Sequence, residues 1–287
     1  MKTKRNHGFT LIELLVVITI IAILGSLAMS QFTNAQKTAN QMKGVSNAKQ
    51  IIIALKQFAA QNNSMYPDSV SPSQGAAGGV ASNSNDAFRN LFIEGIVTDE
   101  RIFGCPGGYN SRDQNNIGTP PGYNLALQPG ENHWAMTRGQ TDTAVGNMPI
   151  VFENAATNSW PPQWDVDKAG QIAPGRAWAG GQVIVGRNDG SVEVVQLAGK
   201  QGMSPPRQSG GFDMFTQASQ GQVLQILNVI PMGGMGQGSF TNDPNGLPGG
   251  GLPGGFPGQP APLPGGGLPG GGLPGQPAGG LPPSPLQ

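Results

Sequence analysis

The stretch Lys4–Leu24, KRNHGFTLIELLVVITIIAIL, decides how the rest of the chain is organised. From Leu11 to Met29 the chain runs 19 residues with Glu13 as its only charge. As a helix rising about 1.5 Å per residue, this run matches the hydrocarbon thickness of a bilayer. Lys2, Lys4 and Arg5 precede it and no acid does, so the positive-inside rule keeps the first residues cytoplasmic and sends the rest across. Glu13 is the anomaly, because a carboxylate at depth costs on the order of 2.5–3.5 kcal/mol on insertion scales and is normally there for a partner. A secretory signal with the small-x-small site Ala28-Met29-Ser30 leaves Glu13 unexplained, and its apolar run exceeds the usual ~7–15 residues. A plain anchor does no better. A cut between Gly8 and Phe9 supplies the partner: the new α-amino group is a cation one helical turn from Glu13.

Gly8-Phe9-Thr10-Leu11-Ile12-Glu13, after a short basic leader and before an apolar helix, resembles the class III signal of type IV prepilins and type II secretion pseudopilins. The resemblance implies cleavage after Gly8 and N-methylation of Phe9 by a membrane prepilin peptidase. It also implies that Glu13 pairs with the amino group of a neighbouring subunit during assembly. The implied partners are that peptidase, copies of this chain, other pilins or pseudopilins, and an inner-membrane assembly platform. The implied location is the bacterial inner membrane: a single pass, the N-terminus cytoplasmic, the body periplasmic or extracellular, and the subunit in a pilus-like filament once assembled.

Beyond the membrane, Phe32, Ala35, Ala39, Met42, Val45, Ala48, Ile52, Leu55 and Ala59 recur at steps of three and four, with Lys37, Lys43, Lys49 and Lys56 off the stripe. One helix from Phe9 to about Asn62 is predicted, ending where Asn62-Asn63-Ser64 meets Tyr66-Pro67. Residues 86–96 have helical spacing, and 148–152 read as a buried strand. The runs 182–187 and 192–195, around Asp189-Gly190, read as a hairpin. The expected fold is α+β: a long N-terminal transmembrane and amphipathic helix packed on a small antiparallel sheet, in the manner of a pilin. The expected divisions are a leader 1–8, a helix 9–62 with its membrane part at about 9–30, an extracytoplasmic domain 63–200 and a low-complexity tail 201–287.

The tail is disordered on this reading from about residue 233. Residues 233–287 hold 20 glycines and 13 prolines with Asp243 as the only charge, too little apolar surface to offset ordering entropy. Glycine does not fall at every third position, which excludes a collagen helix.

A second resemblance, to the C-terminal region of prepilin-like proteins named for a His-x9-Asp-Gly pattern, rests on Gly122-Tyr123-Asn124, Ile150–Asn154 and Val183–Val192. The histidine of that pattern is absent, and Ala179 stands in its place.

Composition excludes several classes. Sixteen basic residues balance sixteen acidic ones with no basic stripe, so nucleic acid is not the expected partner. The single Cys105 excludes an intrachain disulfide and a cysteine-cluster metal site. Catalysis is not expected: His7 lies in the leader, His133 stands alone, and no serine, histidine and acid set or phosphate loop is legible. Cys105 reads as a small buried hydrophobe at a turn. No cofactor is expected; Asp165 and Asp167, with Asp142 or Asp189, are calcium candidates against the simpler reading of solvated loop acids. Trp160 and Trp164, flanking Pro161-Pro162-Gln163, offer either an aromatic platform for a glycan or core packing, with packing favoured. The platform belongs to the alternative function, a membrane-anchored surface protein that uses the leader only for export.

Overall fold

The computed structural model describes residues 9–69, 81–109, 113–207 and 213–231; the leader and the Gly/Pro-rich tail from residue 233 lie outside the described residues. Helix α1 runs Leu11–Gln61 without interruption. The sequence supports it with Leu, Ile and Ala in its first half and Ala, Lys and Gln in its second, no proline, and glycine only at 25 and 44. It stops where expected: Asn63 and Ser64 take left-handed φ values of 52° and 66°, and the Ser64 N–H returns to the Ala59 carbonyl. Helix α2, Ser84–Ile93, is capped by Asn83, whose side chain accepts the Asp86 N–H. Its Phe88 and Phe92 pack on Phe103 at ring separations of 5.1 and 5.7 Å.

Among the described residues seven strands follow: β1 Trp134–Thr137, β2 Pro149–Glu153, β3 Trp164–Asp165, β4 Gln182–Arg187, β5 Val192–Gln196, β6 Met203–Ser204 and β7 Ile226–Leu227. Five form an antiparallel sheet in the order β5-β4-β2-β1-β7, and β3 pairs with β6 apart from it. The β4–β5 hairpin forms around Asp189-Gly190, with Gly190 at φ 89°. Alternation along the strands makes two cores. Trp134, Met136, Val151 and Ile184 face α1; Ala135, Phe152, Val183 and Val185 face the opposite side, under Trp164 and Phe215.

The seam between α1 and the sheet follows the stripe read in the sequence at Ala48, Ile52, Leu55 and Ala59 and departs from it nearer the apolar half. Contact runs through Gln41, Gly44, Ala48, Ile51, Ile52, Leu55, Phe58 and Ala59, whereas Phe32 is 66% and Met42 68% exposed. A glycine and a glutamine are invisible to a hydrophobic pattern, yet Gly44 decides the approach. A Cβ there would lie 2.6 Å from Ile184 Cδ1 and 3.1 Å from Cys105 Sγ. The sheet reciprocates at Gly186, where a Cβ would lie 2.5 Å from Ile52 Cδ1. Two missing side chains, one on each surface, let helix and sheet close together.

The folded body also extends past residue 200, where composition set its end. β6 completes the small sheet; helix α3, Met214–Ala218, places Phe215 edge-on to Phe152 at 5.2 Å; β7 adds the last strand to the large sheet. Asn228 then bonds the Ala155 carbonyl through Nδ2 at 2.7 Å, and the Ile230 N–H reaches Asn85 Oδ1 at 3.1 Å. The glycines and prolines of 199–231 diluted the hydrophobic signal, but the few large side chains among them are enough to dock the segment.

Candidate functional site

Thr10 is the N-cap of α1, with extended backbone at φ −85° and ψ 149°. Its hydroxyl accepts the Glu13 N–H at 3.4 Å, and Glu13 Oε2 in turn accepts the Thr10 N–H at 2.8 Å and the Thr10 hydroxyl at 2.7 Å. This is a capping box, so the carboxylate sits at the positive end of the helix dipole and satisfies a backbone donor that the helix leaves open. Phe9 precedes it and is 75% exposed. Leu11, Ile12, Leu14, Ile18, Ile21 and Leu24 point outward on every side of the rod, and no part of the apolar window is buried within the protein. A helix apolar all round and covered by nothing is long enough to cross a membrane.

The other sequence candidates fall in different places. Trp164 is fully buried, edge-on to Phe152, with Nε1 donating to the Glu153 carbonyl at 3.2 Å. Trp160 is half-buried against Phe215 at 5.3 Å. The two rings therefore do not make an exposed platform; they are the packing of the sheet's second core. Asp165 Oδ1 accepts the Asp167 N–H at 3.1 Å and its Oδ2 pairs with Lys168 at 3.2 Å, which caps the 3-10 turn Val166–Lys168. Asp167 Oδ2 holds the Gly202 N–H at 3.1 Å. Among the described residues these two acids join no cluster of three metal-ligating side chains. Ala179, at the place of the absent histidine, lies exposed in the turn before β4, where its carbonyl accepts a hydrogen bond from Lys37 Nζ.

Residues 3–29 match the family model described as the prokaryotic N-terminal methylation motif. The chain carries a prepilin-type N-terminus. Among known proteins this prepilin-type chain is similar to the type IV major pilin protein PilA of Myxococcus xanthus, 39% identical over 59 residues, 21% of this chain and 27% of that one. It is similar to type II secretion system core protein G of Aeromonas hydrophila, 39% identical over 67 residues, 23% of this chain and 46% of the relative. The same protein of Pectobacterium carotovorum is 36% identical over 63 residues, 22% and 40% of the two chains. The prepilin-type chain thus spans less than half the length of these relatives, and no solved structure matches it.

Within the body of the prepilin-type chain, the structure assembles a buried polar cluster that no sequence pattern announced. Glu153, at the end of β2, is wholly buried on the α1 side of the sheet. Its Oε1 takes hydrogen bonds from His133 Nε2 and Trp178 Nε1, each at 2.9 Å; its Oε2 takes the Ile184 N–H at 2.9 Å. Arg176 Nη2 lies 3.8 Å from Oε1, and the guanidinium stacks 4.5 Å over Trp178. Cys105 Sγ stands 3.7 Å from Oε1.

Cys105, His133 and Glu153 bring ligand atoms within 4.8 Å of one another, but the hydrogen bonds argue against a metal centre. Asn154 Oδ1 accepts the Gly175 N–H at 2.6 Å, which fixes its amide so that Nδ2 donates to His133 Nδ1 at 3.1 Å. The Tyr109 N–H also points at Nδ1, at 3.3 Å. Nδ1 is therefore an acceptor, the proton sits on Nε2, and Nε2 is spent on Glu153 rather than open to a metal. Burial, chiefly, holds His133 below its ordinary pKa and pushes the Cys105 thiol well above its own, with the Glu153 charge adding to the latter. The thiol is inert, and the cluster is a closed, internal ion pair.

Proposed function

We propose that this chain is a non-enzymatic prepilin-like subunit, cleaved after Gly8 and N-methylated on Phe9 by a prepilin peptidase. Its mature form is drawn by an inner-membrane platform into a type II secretion pseudopilus or a type IV pilus-like filament. The observation that carries the proposal is the uncovered apolar helix with a carboxylate one turn from its start, joined rigidly to a folded head. Uncovered apolar surface on every side demands lipid or sister helices, and among the described residues Glu13 is answered by its own cap, which a neighbouring subunit's amine can replace. The matched motif and the pilin and pseudopilin relatives support the same reading, as does a β2–β4 body built from antiparallel strands on the C-terminal half of α1.

In this reading the first residues are cytoplasmic and the head is extracytoplasmic, following Lys2, Lys4 and Arg5. The alternative, a surface binding protein that uses the leader for export alone, loses its aromatic platform because Trp164 is interior. The test is the N-terminus and intact mass of the protein from its native membrane, with and without the peptidase. A methylated Phe9 that disappears without the peptidase is the expected result. An uncut Met1 or a start at Gln31 would overturn the proposal.

A further inference from the structure

The end of the head nearest the apolar half of α1 is made of three adjoining loops, 166–172, 179–181 and 199–207. Lys37 reaches the Ala179 carbonyl, Gln196 Nε2 ties the Gly180 and Gly181 carbonyls at 2.7 and 2.8 Å, and the Val166 N–H bonds the Gly202 carbonyl at 3.0 Å. Lys37 lies eight residues past Met29, about 12 Å along the rod, and helical side chains lean toward the N-terminus, so these loops lie at the margin of the headgroup layer. Here the head exposes two large apolar side chains, Ile172 at 69% and Met203 at 50%. Around them stand Lys168, Lys200 and Arg207, all at least partly exposed. The acids on this end, Asp165 and Asp167, are committed to Lys168 and to the backbone of Asp167 and Gly202. Exposed apolar tips ringed by cations, held at a fixed distance from a membrane-length helix, fit the surface of an anionic bilayer.

We propose that these loops form a collar that seats the unassembled subunit on the membrane: Ile172 and Met203 enter the headgroup layer while Lys200 and Arg207 meet lipid phosphates and Lys168 stays with Asp165. The inference rests on the reading of α1 as membrane-inserted. It gives the head a fixed orientation before assembly, and extraction into a filament must break the contact.

The experiment uses the full chain in nanodiscs of phosphatidylethanolamine and phosphatidylglycerol. Nitroxide labels go at I172C, M203C, I20C and V145C, with the buried native Cys105 remaining unlabelled. Val145 lies in the turn beside Asp142, whose N–H bonds Ser64 beyond the far end of α1, and serves as the aqueous reference. Collision rates with oxygen and with a neutral nickel chelate then report depth. The labels at 172 and 203 should lose nickel contact relative to 145, and should regain it in the K200Q/R207Q variant. If the label at 20 is in lipid while 172 and 203 match 145, the collar is wrong. If the label at 20 is itself aqueous, the membrane reading fails first. Depth unchanged in the double variant would overturn the role given to the two cations.

Discussion

Two glutamates divide the molecule. Among the described residues, Glu13 opens a helix whose apolar sides are uncovered, and its carboxylate is held by Thr10 within its own first turn. Glu153 lies inside the head and is saturated, with His133, Trp178 and the Ile184 N–H bonded to it and Arg176 beside it. A carboxylate with every lone pair assigned stabilises a fold; one with a local, replaceable partner is available for another molecule. Under the proposed function, Glu153 serves the fold of the head and Glu13 serves assembly through the rod.

The largest effect should come from opening the closed site. Glu153→Ala leaves Arg176 as an uncompensated buried cation and should destabilise the head by about 3–5 kcal/mol, read as a loss of thermal midpoint for the full chain in detergent. Gly44→Val should come next, at about 1–3 kcal/mol, because its side chain meets Ile184 and Cys105; the same experiment reads it, and Cys105 should then become reactive to a thiol reagent that leaves the parent protein untouched.

Acid should act through His133. Its folded pKa is depressed, so the unfolded chain binds the extra proton first, and this part of the stability is present above the unfolded value near 6.5 and lost as pH falls below it. Comparing urea midpoints of the parent and His133→Gln at pH 7.5 and 5.5 isolates the effect: the parent should lose more. A flat parent curve would mean that His133 titrates alike in the folded and unfolded chain, and a gain in stability at pH 5.5 would mean that the fold holds it protonated. At the small end, Glu13→Gln should move the head's thermal midpoint by less than about 0.5 kcal/mol equivalent while abolishing filaments seen by electron microscopy. An equal loss of head stability would erase the distinction between the two carboxylates.

What the sequence made legible follows the same divide. Glu13 stood out because its neighbours are uniformly apolar, and α1, β2 and the β4–β5 hairpin were readable from local periodicity and turn chemistry. The Glu153 cluster was not, since its members come from positions 105, 133, 153, 176 and 178, and only the pairing of β1 with β2 and the turn before β4 bring them together. The seam of α1 was read correctly at Ala48, Ile52, Leu55 and Ala59 and missed one position at its near end, where Gln41 and Gly44 rather than Met42 face the sheet and Val45 is only partly buried, because it is made there of an absence, the side chain Gly44 lacks. For Trp160 and Trp164 the proline-rich spacing left a display open beside the favoured packing, and Phe215, 55 and 51 positions on in a segment counted as tail, is the ring that makes them core.

The unbroken run of α1 from Leu11 to Gln61 has a mechanical consequence. At about 1.5 Å per residue it is a shaft on the order of 75 Å long, and the facing notches at Gly44 and Gly186 key the sheet onto it. A head keyed in this way cannot swivel independently of its shaft. Any turn or axial step imposed on the membrane end by a neighbour becomes the same turn and step of the head, so torque and thrust travel through one element with no joint between them.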